Sequence, residues 1–243
     1  MPVSSWVELN VMISGGFSLA YRSVLPAFER TTGIAVATAS ASSQGTGPTT
    51  MKAQLERGAR PDVVILSREG LSELMAAGRI VSGTDMDLAR VPIGAAVRIG
   101  QPKPDVDTVD AFKRALLDAR AIAVPASTSG IFLINDVFPR LGLAEKLSVK
   151  VGPRGADATA MVAAGEAAIV LAPVSELVNV AGIDYVGRIP TEVQLLQVFA
   201  AAIVAGSDRR DEAKRLIEFL ASRSAAAAIA QSGMEPLGKR DPQ

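Results

Sequence analysis

Four junctions that combine small hydroxylic residues with glycine stand out, each directly before a segment with helical periodicity. They read ISGGFS (13–18), ASSQGTGP (41–48), LSREG (66–70) and PASTSGIF (125–132). Such a junction offers unpaired backbone N–H groups, hydroxyl donors and the positive end of a helix dipole, and its glycines place no Cβ in the way. These groups hold an anion without a counter-charge. A single junction is equally typical of an ordinary helix cap, because Ser and Thr are preferred N-cap residues.

The composition excludes several kinds of chemistry. The 243 residues include 25 basic and 25 acidic side chains, so nothing indicates a nucleic-acid partner. The chain has no Cys and no His, which excludes thiolate and imidazole metal ligands and Ser-His-Asp catalysis. None of the four junctions matches a phosphate-binding loop or a dinucleotide fingerprint. We expect no metal and no bound cofactor, and any catalysis must use carboxylates, Lys, Tyr, Ser or an external cofactor.

Alternating strand and helix signals supply the elements that position these junctions. Strands are predicted at 6–13, 34–39, 61–66, 93–100, 121–126, 167–173 and 193–204. Helices are predicted after residue 16 and at 49–58, 71–78, 109–118, 129–142, 211–222 and 224–230. Pro26 implies that the first helix is kinked or consists of two pieces. The order predicts an α/β fold with parallel strands and right-handed crossovers, and Trp6 is expected to pack at the edge of the first lobe.

The predicted fold brings the four junctions to one place. Ligands of open parallel α/β sheets bind at the carboxyl ends of the strands, where helix N-termini point outward. All four junctions follow strands at that end, in two separate βαβ sets. A shared anion site explains this recurrence better than four independent caps.

The segments SGGFS (14–18), STSG (127–130), 88–116 and 211–238 together resemble the periplasmic type II solute-binding proteins, in particular their molybdate-binding branch. The resemblance extends over nearly the whole chain. It implies two lobes, each a mainly parallel sheet flanked by helices, with a ligand cleft between them. Lobe one would comprise residues 1–82 and 193–243, and lobe two residues 83–192.

The resemblance also implies a set of ligand-binding residues. Ser14 matches the serine after the first strand, Ser43 the serine of the second loop, and Ser127–Gly130 the helix-start loop of the second lobe. Loops around Gly155–Ala156 and Ala172–Pro173 would close the site. The expected ligand contacts are Ser14, Gly15, Gly16, Phe17, Ser43, Thr46, Ser67, Arg68, Ser127, Thr128, Ser129, Gly130, Arg154 and Ala172.

Two arginines depart from the neutral donors that molybdate-binding proteins use. Arg68 and Arg154 are either solvated surface residues or bidentate ligands of a carboxylate, which would suit an organic acid. The molybdate-binding-like group also includes an isomerase of cis- and trans-aconitate. Without His, the base of such an enzyme would be a carboxylate, and Glu69 and Glu176 are the candidates. Each is equally typical of a glutamate placed at a helix start by the dipole.

The primary expectation is a substrate-binding protein of ABC-transporter type that closes on a small anion, either an organic acid or a molybdate-like oxyanion. The alternative is a cofactor-free isomerase of an unsaturated tricarboxylate, and a third interpretation is a cytosolic sensor. We expect a monomer without a membrane span, partnered by a permease if it is exported. Since no signal-like segment is recognised near Met1, the predicted location is the periplasm if a leader has been removed, and otherwise the cytoplasm.

Overall fold

A computed structural model describes residues 8–238, whose strands form one mixed sheet flanked by helices. Trp6 lies outside the described residues. The strands are β1 (Glu8–Ile13), β2 (Ala35–Ser40), β3 (Val63–Ser67), β4 (Met86–Arg98), β5 (Ile122–Pro125), β6 (Val149–Gly152), β7 (Ile169–Pro173), β8 (Ile183–Arg188), β9 (Leu196–Ile203) and β10 (Glu235–Pro236). The α-helices are α1 (Gly15–Thr32), α2 (Met51–Glu56), α3 (Arg68–Ala76), α4 (Val109–Asp118), α5 (Thr128–Phe132), α6 (Phe138–Arg140), α7 (Gly155–Ala163), α8 (Arg210–Leu220) and α9 (Arg223–Gln231).

Parallel and antiparallel pairing divide the sheet into regions. The strand order is β2-β1-β3-β9-β4-β7-β5-β6, with β8 and β10 also paired to β4. Strand β1 runs parallel to β2 and β3, and β5 runs parallel to β6 and β7. Between these two parallel sets, β4 and β9 pair antiparallel with their neighbours and with each other. The α/β fold class predicted from the sequence is confirmed, with two antiparallel strands joining its parallel parts.

Strand β4 passes from one half of the sheet to the other. Its residues 86–92 pair with β9, whereas residues 93–97 pair with β7 and residues 94–98 with β8. The sequence prediction began this strand only at residue 93, because Asp87 and Arg90 interrupt the apolar pattern before it. The part of β4 that the prediction missed, residues 86–92, is the part that pairs with β9 and so connects the two halves of the sheet.

The apolar core divides in the same way. Two clusters of buried side chains use residues 9–91 and 200–234, joined by Phe199 and Val174. Two others use only residues 93–193. Both halves are built mostly from Ala, Val, Leu and Ile, since those residues pack against both faces of buried strands. The lobe boundaries at 82/83 and 192/193 remain a prediction.

Helix α1 is one continuous helix with Pro26 inside it, rather than two pieces. Its buried face includes Phe17, Tyr21 and Phe28, and it ends at Gly33, whose φ of 70° is the left-handed conformation that favours glycine. At its start, the Ser14 amide donates a hydrogen bond to the Ile65 carbonyl of β3. This bond holds the helix N-terminus at the carboxyl end of the sheet.

Several elements of the second half differ from the prediction. The predicted helix 129–142 contains a π-helical turn, Leu133–Val137, between α5 and α6. Strands β6 and β8 and helix α7 were not predicted, because the short strands lack strong alternation and α7 is rich in Ala and Gly. Arg154, expected within a loop, therefore stands at the N-cap of α7. Within residues 8–238, the helices fall short of the length and apolarity that a membrane crossing needs.

Candidate ligand-binding site

A cavity of about 150 Å³ lies where the carboxyl ends of strands from both halves face each other. Helices α1 and α7 direct their N-termini into it, one from each half of the sheet. Its lining comprises Ser14, Gly15, Ser18, Arg22, Ser40, Ala41, Ser42, Pro125, Ser127, Ser129, Arg154, Gly155, Ala156, Pro173, Glu176, Gln197 and Phe199.

Larger depressions lie elsewhere among the described residues. Two of them, of about 470 and 750 Å³, lie at the amino ends of the parallel strands, around Asp62 and around Ile169, and another of about 450 Å³ lies beside the start of α8. Gly206 and Ser207 stand before α8 and border the first depression, but the Ser207 hydroxyl is occupied there, because it donates a hydrogen bond to Asp62 Oδ1 at 2.8 Å. Ligands of α/β sheets bind at the opposite, carboxyl ends of the strands. The smaller cavity is therefore the candidate site.

The structure brings only part of the predicted set into the cavity. The predicted residues in the lining are Ser14, Gly15, Ser127, Ser129, Arg154 and Glu176, together with Gly155, Ala156 and Pro173 of the closing loops. The predicted residues outside the lining are Gly16, Phe17, Ser43, Thr46, Ser67, Arg68, Glu69, Thr128, Gly130 and Ala172.

Packing accounts for the apolar residues and glycines that stay outside the cavity. Phe17 and Ala172 are fully buried in the core. Gly16 lies against the Phe199 ring and Gly130 against the Pro125 carbonyl, so closely that a Cβ at either position would clash. These glycines serve close packing beneath the cavity. Thr46 and Glu69 are exposed on the surface instead.

The hydroxyls that line the cavity are not used as helix caps. Ser14 occupies the N-cap position of α1 but makes no side-chain capping bond, whereas Thr50 and Thr108 cap α2 and α4 with their side chains. Ser129 lies in the first turn of α5, and its hydroxyl likewise has no hydrogen-bond partner within residues 8–238. Both hydroxyls are therefore free to bond a ligand in the cavity.

Three of the predicted hydroxyls outside the cavity, those of Ser43, Ser67 and Thr128, form hydrogen bonds within the protein. Ser43 Oγ accepts a hydrogen bond from the Ser67 amide at 3.0 Å. Ser67 Oγ caps α3 by accepting from the Gly70 amide at 3.2 Å, and it lies 2.8 Å from Thr128 Oγ1. Thr128 in turn donates to Gln44 Oε1 at 2.7 Å. These bonds connect the β3–α3 junction to the β5–α5 junction across the two halves of the sheet.

Arg68 is occupied by the chain's own carboxylates. Its guanidinium forms ion pairs with Asp85, at 2.7 Å, and with Asp87. It does not line the cavity, so the predicted capture of a ligand carboxylate has no support at this position.

Two other arginines reach the cavity. Arg154 lines it from the start of α7 while pairing with Asp157 at 3.0 Å. Arg22 lines it from α1 and forms no ion pair in the described part of the chain. The sequence analysis missed Arg22, although its spacing of three and four residues from Gly15 through Ser18 places all three on one helix face.

Glu176 is the carboxyl group of the cavity. It stands at the end of a short 3₁₀ turn, Val174–Glu176, directly after β7. Its carboxylate lies so close to Gly15 and Gly155 that a Cβ on either glycine would collide with it. Burial raises the pKa of Glu176 to about 7, and no ion pair to it occurs within residues 8–238. Such a carboxyl can exchange a proton near neutral pH.

Gln197 was missed because it lies within the apolar run of β9. Its side chain is buried and lines the cavity, and its Oε1 has no hydrogen-bond partner among the described residues. The described range holds no cluster of three acidic side chains that could bind a metal ion. The cavity therefore offers hydroxyls, an amide, two guanidinium groups and one carboxyl.

Comparisons with known proteins concern the chain as a whole rather than the individual residues of the cavity. The family model described as bacterial extracellular solute-binding protein matches residues 9–235. An aconitate isomerase from a Pseudomonas species is 38% identical over 230 residues, which cover 94% of this chain and 88% of that protein.

Solved structures share the fold at low identity. The periplasmic molybdate-binding protein of Azotobacter vinelandii superimposes with a TM-score of 0.72 at 20% identity, covering 97% of this chain and 100% of that chain. A sulfate-binding protein of Mycobacterium tuberculosis gives a TM-score of 0.73 at 20% identity, covering 97% and 88%. These matches confirm the predicted type II binding-protein fold, and the family match confirms the resemblance to solute-binding proteins.

Proposed function

Because the chain belongs to the bacterial extracellular solute-binding protein family, we propose that its cavity binds a small unsaturated polycarboxylate and that Glu176 transfers a proton on this ligand. The activity would be that of an aconitate isomerase, which the 38% identical relative is named for. The observation that carries the proposal is the position of Glu176, a carboxyl without an ion-pair partner in the described chain, facing the cavity with a pKa of about 7.

The cavity has the groups that a polycarboxylate needs. Arg22 faces it from α1 without an ion pair in the described chain, so its guanidinium is suited to bidentate binding of one carboxylate. Arg154 faces it from the start of α7, and there a ligand carboxylate would replace Asp157, which now accepts two hydrogen bonds from the guanidinium. The free hydroxyls of Ser14 and Ser129 and the N-termini of α1 and α7 add neutral donors. Two cations on opposite sides favour a ligand with at least two separated carboxylates.

The reaction needs no cofactor. A carboxylate base removes a proton from the CH₂ group next to the carbon–carbon double bond, and the electron pair of the broken C–H bond shifts the double bond by one position. The same carboxyl, now protonated, returns the proton to the carbon at the other end of the allylic system. One C–H bond breaks and one forms, so no oxidation or reduction occurs. The guanidinium groups and helix N-termini stabilise the negative charge that develops on the allylic system and its carboxylates.

The test is incubation with trans-aconitate followed by chromatography for the cis isomer. Glu176→Gln is expected to lower kcat at least about 100-fold, the range of general base catalysis. It should still bind aconitate, measured as a rise in melting temperature with added ligand. Glu69→Gln is the matched control, because Glu69 is exposed and outside the cavity. No conversion by the unmodified protein at micromolar concentration would reject the isomerase.

The second candidate is a substrate-binding protein that binds the same class of anion without turnover. The family description and the fold favour it, as do the hydrogen bonds that join the two halves beside the cavity. A permease partner, a monomeric state and a periplasmic location belong with this candidate. Thermal-shift measurements with aconitates, citrate, molybdate and sulfate would identify its ligand, and binding of aconitate without product would favour this candidate over the isomerase.

A further inference from the structure

Two helix N-termini converge on a single point, and the chain's own carboxyl group occupies it. Helix α1 begins at Gly15 and helix α7 at Gly155. The atoms nearest to a Cβ built on either glycine all belong to the Glu176 carboxyl group. The carboxyl group therefore lies against the first residue of each helix, and no amide of either helix donates a hydrogen bond to it within residues 8–238.

From this position we propose that Glu176 is a specificity-determining residue, which excludes compact inorganic dianions such as molybdate and sulfate from the cavity. A tetrahedral dianion concentrates its charge within one small volume. To use both helix N-termini, it would have to lie in contact with the ionised carboxylate, and like charges at that distance repel strongly. Above pH 7 the Glu176 carboxyl is mostly ionised, so this repulsion operates there.

An organic polycarboxylate avoids the conflict because its charges are spread over several atoms. Its carboxylates can bind at Arg22 and Arg154, while its uncharged carbon skeleton lies against Glu176. This orientation places C–H groups, rather than oxygens, next to the carboxylate. The orientation rests on the proposed polycarboxylate function, whereas the exclusion of compact dianions rests on the position of Glu176 alone.

The experiment is isothermal titration of the full chain with sodium molybdate and sodium sulfate at pH 8, where Glu176 is mostly ionised. The unmodified protein is expected not to bind either salt at up to millimolar concentration. Glu176→Gln, which keeps the shape and removes the charge, should bind at least one of them at least tenfold more tightly. Glu69→Gln should show no gain, because Glu69 does not line the cavity.

Two results would overturn the inference. One is micromolar binding of molybdate or sulfate by the unmodified protein, a measurement that does not depend on whether any variant folds. The other is a folded Glu176→Gln protein, judged by its melting temperature, with no gain for either anion. Aconitate turnover is measured separately. If Glu176→Gln gains dianion binding and the unmodified protein does not convert aconitate, the specificity role is retained and the isomerase is rejected. If the unmodified protein converts aconitate and Glu176→Gln shows no gain in dianion binding, the isomerase is retained and the specificity role is rejected.

Discussion

Two groups of hydroxyl-bearing residues in this protein carry the same sequence pattern and have different surroundings. Two hydroxyls that line the site, those of Ser14 and Ser129, have no hydrogen-bond partner within residues 8–238, and we call them the cavity hydroxyls. Ser127 lines the site as well, but its Oγ accepts a hydrogen bond from the Gln44 amide. The junction hydroxyls, Ser43, Ser67 and Thr128, bond to backbone and side chains of the neighbouring junction. Both groups stand between a strand and a helix. The difference teaches that the sequence pattern alone does not make a hydroxyl available, because availability depends on whether the folded chain supplies a partner.

The two groups of hydroxyls are also expected to differ in what they contribute, one to folding stability and the other to ligand binding. A hydroxyl bonded inside the protein contributes to stability, and its loss leaves a buried partner unsatisfied. A hydroxyl without a partner contributes to ligand binding and little to folding. Substitutions in the two groups should therefore affect different measurements.

We expect the largest effect from substituting a glycine that lies next to each group of hydroxyls. Gly15→Ala places a Cβ against the Glu176 carboxylate, and no other atom lies within contact distance apart from the helix's own backbone. Because a side chain can move, the fold should persist while the carboxylate is displaced, and kcat for aconitate should fall about 100-fold.

Gly70→Ala is the counterpart, because its Cβ would meet the backbone carbonyl of Ser43 in the junction group. Its free energy of unfolding should fall by about 1–3 kcal/mol, as overpacking typically costs. Gly47→Ala, whose Cβ meets only Thr49 Oγ1 at 3.9 Å, is the control for both. Kinetics and urea unfolding give the two readouts, and a loss of stability without a loss of kcat in Gly15→Ala would contradict the assignment.

The next prediction concerns carboxyl groups. Burial raises the pKa of Glu176 to about 7, whereas the hydrogen bond from Arg154 lowers the pKa of Asp157. A base must be deprotonated to act, so kcat/KM should be highest above pH 7 and fall about tenfold per unit below it. A pH profile from 5.5 to 8.5 measures this, and a flat profile over that range would exclude Glu176 as the base.

The same shift has a consequence for folding. The native state holds the Glu176 proton to a higher pH than the unfolded chain, so this group makes the free energy of unfolding fall as pH rises from about 4.5 to 7. Glu176→Gln removes this contribution. The variant should therefore gain stability relative to the unmodified protein across that interval, by on the order of 1–3 kcal/mol above pH 7. Equal pH dependence of the two proteins in urea unfolding would argue against a raised pKa.

A matched pair of serines tests the comparison directly. Ser14→Ala should raise KM for aconitate about tenfold, because one hydrogen bond to a charged ligand is lost. Its effect on stability should stay within about 0.5 kcal/mol. Ser67→Ala should lower the free energy of unfolding by about 1–2 kcal/mol through loss of the α3 cap and leave KM unchanged. If the two variants exchanged these effects, the division into cavity and junction hydroxyls would be wrong.

The smallest effect is expected at Arg68. Its ion pairs with Asp85 and Asp87 are partly exposed, so Arg68→Gln should cost less than about 1 kcal/mol of stability. Because Arg68 does not line the cavity, KM should change less than about twofold. Arg22→Gln provides the contrast, with an expected rise in KM of about tenfold. An effect of Arg68→Gln on KM as large as that of Arg22→Gln would require a different map of the site.

Much of the fold could be predicted where the local pattern was strong. Helix α4 was predicted at 109–118 and occupies those residues, because its apolar positions repeat at helical spacing and Thr108 caps it. Strands β6 and β8 were missed because their residues alternate weakly and their pairing partners lie far along the chain. The register of β4 against β9 could not be predicted either, because the paired residues lie far apart in the chain.

The sequence identified part of the cavity lining, and the ligand-binding roles of those residues remain predictions. Ser14, Ser127 and Ser129 follow strand ends, and the cavity lies at those ends. Arg22 was missed because it stands two turns into α1, and Gln197 because a single polar residue in an apolar strand carries no distinctive pattern. Arg68 was included because its junction resembles the others, and only its aspartate partners show why it differs.

By itself, the sequence determined the α/β order, the absence of Cys and His chemistry, and a set of strand-to-helix junctions able to bind an anion. These properties depend on residue type and on neighbours within a few positions. Only the tertiary structure decided which hydroxyls remain unpaired, which arginines face the cavity and which glutamate lies between two helix N-termini. Those outcomes depend on contacts between residues far apart in the chain, such as Glu176 and Gly15, which are 161 positions apart. Local periodicity carries no information about such contacts.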